Sequence, residues 1–281
     1  MKSQVLILFH FLLFHAGRGQ MMGGLPAGPR QFPFAVMVLG GRYLCGGSII
    51  GHQWVITAGH CVRRNRTNMI TTIVAGEEFL REEDQNEDRR ITISNDQIEI
   101  IPHLNFDDNE YDNDVALLFL RTPLKPSRHV KMIELGSNNG LRAGDECTVM
   151  GWGKTKVKWG PPGNHSNHIQ SENSRFLKYG KRIVDVVHNE LILFLNQSRD
   201  GYSPYMLGGD SGSPLVCRDT DEKQKLFGWQ VGIDLDRNDA SYKPVKSVRF
   251  WIGTRMREKW LNDELICDKY DLIRQVFNRK A

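Results

Sequence analysis

A chain of 281 residues with 40% hydrophobic and 25% charged content is long enough to bury a full core, as one domain or two small ones. Its net charge of +4 is mild for that length, and with no base-reading motif or aromatic platform it argues against nucleic acid as a partner. Past the first nineteen residues no stretch is apolar enough to cross a bilayer, so an exported, soluble mature protein is expected.

Residues 1 to 19 have the form of a secretory signal: Lys2, an apolar run from Val5 to Phe14, and the small-residue exit Ala16-Gly17-Arg18-Gly19. Sequons at Asn65, Asn164 and Asn196 agree with export. From Phe34 to Leu120, short β-prone runs alternate with turn residues, as in an antiparallel barrel. One run, Trp54-Val55-Ile56-Thr57, leads into Ala58-Gly59-His60-Cys61, and another, Val115 to Leu120, opens on Asp114. The acidic stretch Glu77 to Asp88 lies between them. Thr122 to Gly136, with Pro123 and Pro126, reads as a connector. Next come the strand-like Cys147 to Gly153 and a polar stretch, 156–180, whose His165 and His168 lack a third metal ligand and read as a solvated loop. The apolar Ile183 to Leu195 can supply one or two more strands. Five cysteines in an exported chain suggest two disulfides and one left over, with the pairing open on spacing alone. The tail from Arg257 places Trp260, Leu261, Leu265, Leu272, Ile273, Val276 and Phe277 close to a helical period.

The stretch Gly208-Gly209-Asp210-Ser211-Gly212-Ser213 is the most informative. Several glycines around one serine persist where a chain bends tightly or approaches another group closely. Such a loop can expose a hydroxyl beside inward-pointing N–H groups, although a Gly/Ser turn at a strand entry has the same composition. A serine nucleophile needs a base, itself oriented by a third group. His60 and Asp114, each at a strand end, fit those two roles.

With these three motifs in the order His, Asp, Ser, the chain resembles the trypsin/chymotrypsin family of secreted serine proteases. The resemblance covers most of residues 21 to 155 and then only islands. It implies an all-β fold of two six-stranded antiparallel β-barrels around a cleft with a C-terminal α-helix: barrels at about 34–121 and 137–256, a connector at 122–136, and the helix at about 257–281. It implies a catalytic triad of His60, Asp114 and Ser211 and an oxyanion hole from the N–H groups of Gly209 and Ser211. Disulfides Cys45–Cys61 and Cys147–Cys217 are implied as well, leaving Cys267 odd, read as a buried thiol. After a signal peptide of residues 1–18 and a dipeptide 19–20, the freed amine of Met21 is expected to pair with Asp210. Gln20 stands where most zymogens have Lys or Arg, which resembles the dipeptide maturation of granule-stored immune proteases. Some members bind calcium through positions that fall here on Glu77 and Glu87, though a solvated charge run is the simpler reading. No other cofactor is expected.

The specificity region departs from the family. Tyr205 stands where relatives that cut after Lys or Arg carry an aspartate, and Leu207 where a pocket-framing cysteine is expected. Val231, Gly232 and Ile233 replace the usual Ser-Trp-Gly, so the serine's bond to the catalytic acid is lost, and Trp251 is expected to crowd a second wall. Two readings follow: a monomeric secreted endopeptidase of non-tryptic specificity, acting on protein or peptide substrates and open to protein inhibitors, or a catalytically weak or inactive homologue that binds. Retention of His60, Asp114 and Ser211 favours the enzyme.

Overall fold

The computed structural model describes residues 24–40, 43–62, 72–76, 90–107, 112–154, 173–195, 209–234 and 239–262. Met21, Asn65, Glu77, Glu87, Asn164, His165, His168, Asn196, Tyr205, Leu207 and Cys267 lie outside the described residues.

In chain order the strands are β1 (Leu25–Pro26), β2 (Ala35–Gly40), β3 (Tyr43–Gly51), β4 (Trp54–Thr57), β5 (Thr72–Ala75), β6 (Ile91–Ser94), β7 (Ile98–Pro102) and β8 (Ala116–Leu120). They continue as β9 (Glu146–Gly151), β10 (Lys178–Ile183), β11 (Val186–Val187), β12 (Ile192–Phe194), β13 (Pro214–Arg218), β14 (Gln224–Asp234) and β15 (Asp239–Pro244), followed by helix α1 (Val245–Asn262). Strands β2 to β8 form one seven-stranded sheet in the order β6-β5-β2-β3-β4-β8-β7. The other sheet has eight strands, β1-β10-β9-β13-β14-β15-β12-β11.

Both sheets curl because their edge strands are consecutive in the chain. Strands β6 and β7 are separated only by the 3-10 turn Asn95–Gln97. Apart from the two-residue β1, the second sheet likewise ends on β10 and β11, separated by Val184 and Asp185. Each pair is one run interrupted in the middle, so each barrel is six runs long, as expected.

Alternating side chains sort into three apolar layers because successive residues of a strand face opposite sides. Val36, Val38, Val55, Ala116, Leu118 and Leu120 fill the first barrel, while their neighbours Met37, Trp54, Ile56, Leu117 and Phe119 face outward. That outward layer joins Leu226, Trp229, Val231 and Ile252 between the barrels. Val149, Ile192, Phe194, Leu215, Phe227 and Tyr242 fill the second barrel. The two barrels therefore share one apolar layer.

The helix begins at Val245, well before the expected 257. Val245, Val248, Ile252 and Met256 recur every three or four residues and are all buried, so the apolar stripe starts directly after Pro244. Residues 263–281 lie outside the described residues. Trp251 stands on this helix and packs against the His103 ring, 5.0 Å between centroids, so it is not a pocket wall. α1 is not long and apolar enough to cross a membrane.

A buried charge network ties the entry of the second barrel to its β13–β14 hairpin. Lys225, fully buried, places Nζ 2.7 Å from Asp221 and 3.1 Å from Asp219. Burial would raise the Asp219 carboxyl, but hydrogen bonds from Ser137, Thr220 and Lys225 outweigh it and hold the group well below the usual carboxylate range. Its contribution to stability is therefore present above the unfolded-state pKa of about 4 and is lost on acidification below it. Lys225→Met leaves this charge buried without its cation, an expected loss of about 3–5 kcal/mol. Urea denaturation at pH 7 measures it, and a loss below about 1 kcal/mol would mean the neutral donors suffice.

Candidate active site

Strand β4 runs into the short turn Gly59–Val62, which carries His60 and Cys61. Cys61 is bonded to Cys45 of β3, so the turn is tied to the neighbouring strand. Opposite it, the left-handed Asn113 (φ 51°) delivers Asp114 just before β8; asparagine is one of the few residues that tolerates this conformation.

Asp114 is fully buried and both its oxygens face His60. Oδ1 accepts the His60 main-chain N–H at 2.8 Å, and Oδ2 lies 2.7 Å from His60 Nδ1. A carboxylate accepts only, so the ring hydrogen is placed on Nδ1 and Nε2 keeps its lone pair. There is little room behind the pair: a Cβ added at Gly59 would stand 3.0 Å from Val115 N and 3.1 Å from Asp114 Oδ1. An alanine here presses directly on the carboxylate.

The Asp114 main chain is fixed from the other barrel, where Trp229 Nε1 donates to its carbonyl oxygen at 2.9 Å. Trp229 is on β14, two residues before Val231. The bond reaches the carbonyl and not the carboxylate, so it is a different anchor from the serine bond expected at position 231. Sequence reasoning missed it, because a buried indole in an apolar strand looks like core.

Ser211 sits in a turn bracketed by Gly209 (φ 101°) and Gly212 (φ 79°), both in the left-handed region that favours glycine. A Cβ on Gly212 would overlap Thr57 Oγ1 and the Gly46 carbonyl. The turn is pinned on three sides. Gly46 N–H donates to Ser211 O at 2.7 Å, Gly212 N–H to Gln230 O at 2.8 Å, and Gln230 N–H to Ser213 O at 3.0 Å. Among the described residues, the N–H groups of Gly209 and Ser211 have no acceptor.

His60 and Ser211 converge on one disulfide. A His60 ring nitrogen and the sulfurs of Cys45 and Cys61 lie within 4.8 Å of one another, and Cys61 Sγ is 3.7 Å from Ser211 O. Both sulfurs are oxidised, so this cluster has no thiolate with which to hold a metal. The second disulfide, Cys147–Cys217, bridges directly paired residues of β9 and β13 below the serine turn.

Asp210 is buried at 1% exposure and accepts the Gly153 N–H at 2.7 Å. Its carboxylate fills the space where side chains at Gly151 and Gly153 would be, so both glycines of that Gly-Trp-Gly are required by close approach. Lys178 of β10 is paired in register with Gly151 and is also buried, which pushes its ammonium down to about 8.

Val231 is buried in the layer between the barrels, and Gly232 and Ile233 are half-buried. Gly232 and Ile233 pair with Ser241 and Ala240 of β15. A Cβ on Gly232 would come within 2.7 Å of Ser241 Oγ. Nearby Tyr242 is fully buried, and burial first and the Asp210 charge second raise its hydroxyl well above the ordinary value. Strand β15, not the start of α1, is thus the second strand of this region.

A family model described as Trypsin matches residues 21–252. Trypsin of Sus scrofa is 26% identical over 245 residues, which covers 83% of this chain and 94% of its own length. Serine protease 56 of Mus musculus is 30% identical over 252 residues, 85% of this chain but only 39% of that longer protein. Among solved structures, human heparin binding protein superposes with a TM-score of 0.67 at 26% identity, covering 84% of this chain and 96% of that one.

Proposed function

Because the chain belongs to the trypsin family of serine proteases, we propose that it is a secreted serine endopeptidase of non-tryptic specificity. The observation that carries this reading is the double bond-set from His60 to a fully buried Asp114, beside a serine turn whose Gly209 and Ser211 N–H groups are uncommitted among the described residues. Asp114 fixes the His60 tautomer and stabilises the imidazolium, and His60 Nε2 takes the Ser211 proton as Oγ attacks the carbonyl. The Gly209 and Ser211 N–H groups receive the oxyanion, and His60 returns the proton to the leaving amine. Water then hydrolyses the acyl-enzyme by the same steps. This chemistry needs no cofactor.

In the same reading, residues 1–18 are removed as a signal and 19–20 as a dipeptide. The Met21 amine then pairs with Asp210 and orders the turn. Carbohydrate on Asn65, Asn164 and Asn196 follows from passage through the secretory route. Tyr205 and Val231 to Ile233 support an apolar or shallow pocket, so the protein, acting as a monomer, cuts after uncharged residues.

Cleavage mapping of Met21-started protein in a peptide library tests the reading, with cuts expected after uncharged side chains. Cuts confined to Lys and Arg would overturn the specificity. A folded protein that cuts nothing would favour the binding homologue, a role consistent with the name of the heparin binding protein structure.

A further inference from the structure

The connector between the barrels carries charge of one sign. From residue 121 to 133 it holds Arg121, Lys125, Arg128 and Lys131 and no Asp or Glu. Arg121 acts on the Asp96 carboxylate. The other three are exposed, and among the described residues none of them has a carboxylate within ion-pair distance. Exposed bases alone are simply solvated. What sets these apart is the cavity in the same segment.

That cavity, of about 400 Å³, lies between the connector and the turn joining β3 to β4. Its lining includes Ile49, Leu124, Val130 and Met132, with His52 and Lys131 as its basic side chains and no carboxylate. Ile49, Leu124 and Val130 belong to the apolar core of the first barrel, whereas the Met132 thioether is 43% exposed. Main-chain bonds fix both edges: Leu124 N–H donates to His52 O at 2.7 Å, and Ile133 N–H to Ile49 O at 2.9 Å. Between them, Ser127 Oγ accepts the N–H groups of His129 and Val130. The walls are thus held without a ligand, and the volume falls in the range of small-molecule sites, roughly 300–1,000 Å³. His52 and His60 stand at opposite ends of β4, so the cavity is separate from the His60–Asp114 pair.

We propose that this cavity binds a single-chain amphipathic anion, a fatty-acid-type carboxylate with its chain against Leu124, Val130 and Met132 and its head on Lys131. An apolar lining takes a hydrocarbon chain, and a rim with bases and no acid selects a negative head over a neutral or positive one. A polyanion without a chain would use the bases and leave the apolar walls in water. The inference does not depend on the serine protease reading.

Titration of the secreted full chain with decanoate, below its micelle concentration, tests it. Calorimetry gives the affinity, and the Met132 methyl resonance of [methyl-¹³C]Met protein gives the place. Saturable binding that shifts Met132 is expected. Hexanoate should bind at least about tenfold more weakly, because each methylene withdrawn from an apolar site weakens binding severalfold. Decanol and decyltrimethylammonium should also bind at least about tenfold more weakly than decanoate. Lys131→Glu should remove most of the preference for decanoate over decanol, and Met132→Asp should weaken both. Lys131 and Met132 are exposed, so both variants are expected to melt with the parent; the ligand series on the parent tests the proposal even if they do not. No shift at Met132, equal affinity for hexanoate and decanoate, or equal affinity for decanoate and decanol would each overturn it. So would a sulfated oligosaccharide that shifts Met132 where decanoate does not, which would assign the rim to polyanions.

Discussion

Asp114→Asn is expected to lower kcat/KM by about 10⁴-fold while leaving the fold intact. Both carboxylate oxygens accept hydrogen from His60, Oδ1 from the main-chain N–H and Oδ2 from the ring. An asparagine offers one acceptor oxygen and one NH₂, so one of those two donors must face a donor. Turning NH₂ towards the ring forces the hydrogen onto Nε2, and the histidine can no longer take the Ser211 proton. Turning it towards the main chain leaves a buried N–H unpaired, at about 1–3 kcal/mol. With Asp114 at 0% exposure, no water can relieve either arrangement. Steady-state kinetics on a mapped peptide measures the effect, and a drop below about tenfold would mean the acid does not set the tautomer.

Gly46→Ala is expected to have the second-largest effect, although residue 46 carries no catalytic group. Its Cβ would overlap Ser213 Oγ and come within 2.8 Å of Ser213 Cα, which is backbone and cannot rotate away. The same residue holds Ser211 O through its N–H and receives the Thr57 hydroxyl on its carbonyl. The serine turn must therefore shift by something near 1 Å, which commonly reduces rate about 10²-fold. A stability loss of about 1–3 kcal/mol should accompany it, as for overpacked cores. Adding Ser213→Gly removes the overlapping hydroxyl but leaves the clash with the main chain, so the double variant should recover only part of both losses. Full activity in the single variant would mean the turn is not seated against β3 as described.

The parts of the site that were legible in the sequence are those where a residue type is forced locally. Gly209, Gly212 and the serine between them require one backbone shape, and His60 and Asp114 stand at the ends of apolar runs. The paired cysteines were legible through the resemblance of the flanking motifs. The start of α1 was not, because Val245 and Val248 are β-branched and follow a strand without a polar break, and only the burial of Ile252 and Met256 reveals the stripe. Trp251 was misplaced for the same reason. Trp229 was invisible for another: its partner, the Asp114 carbonyl, lies 115 residues away in the chain. Long-range pairing of this kind leaves no local pattern.

The account stands most directly on the reactivity of Ser211. Met21-started protein treated with a fluorophosphonate, read by intact mass beside a Ser211→Ala control, should gain one adduct that the control lacks. No adduct on folded protein with its N-terminus verified at Met21 would contradict an assembled triad and oxyanion turn.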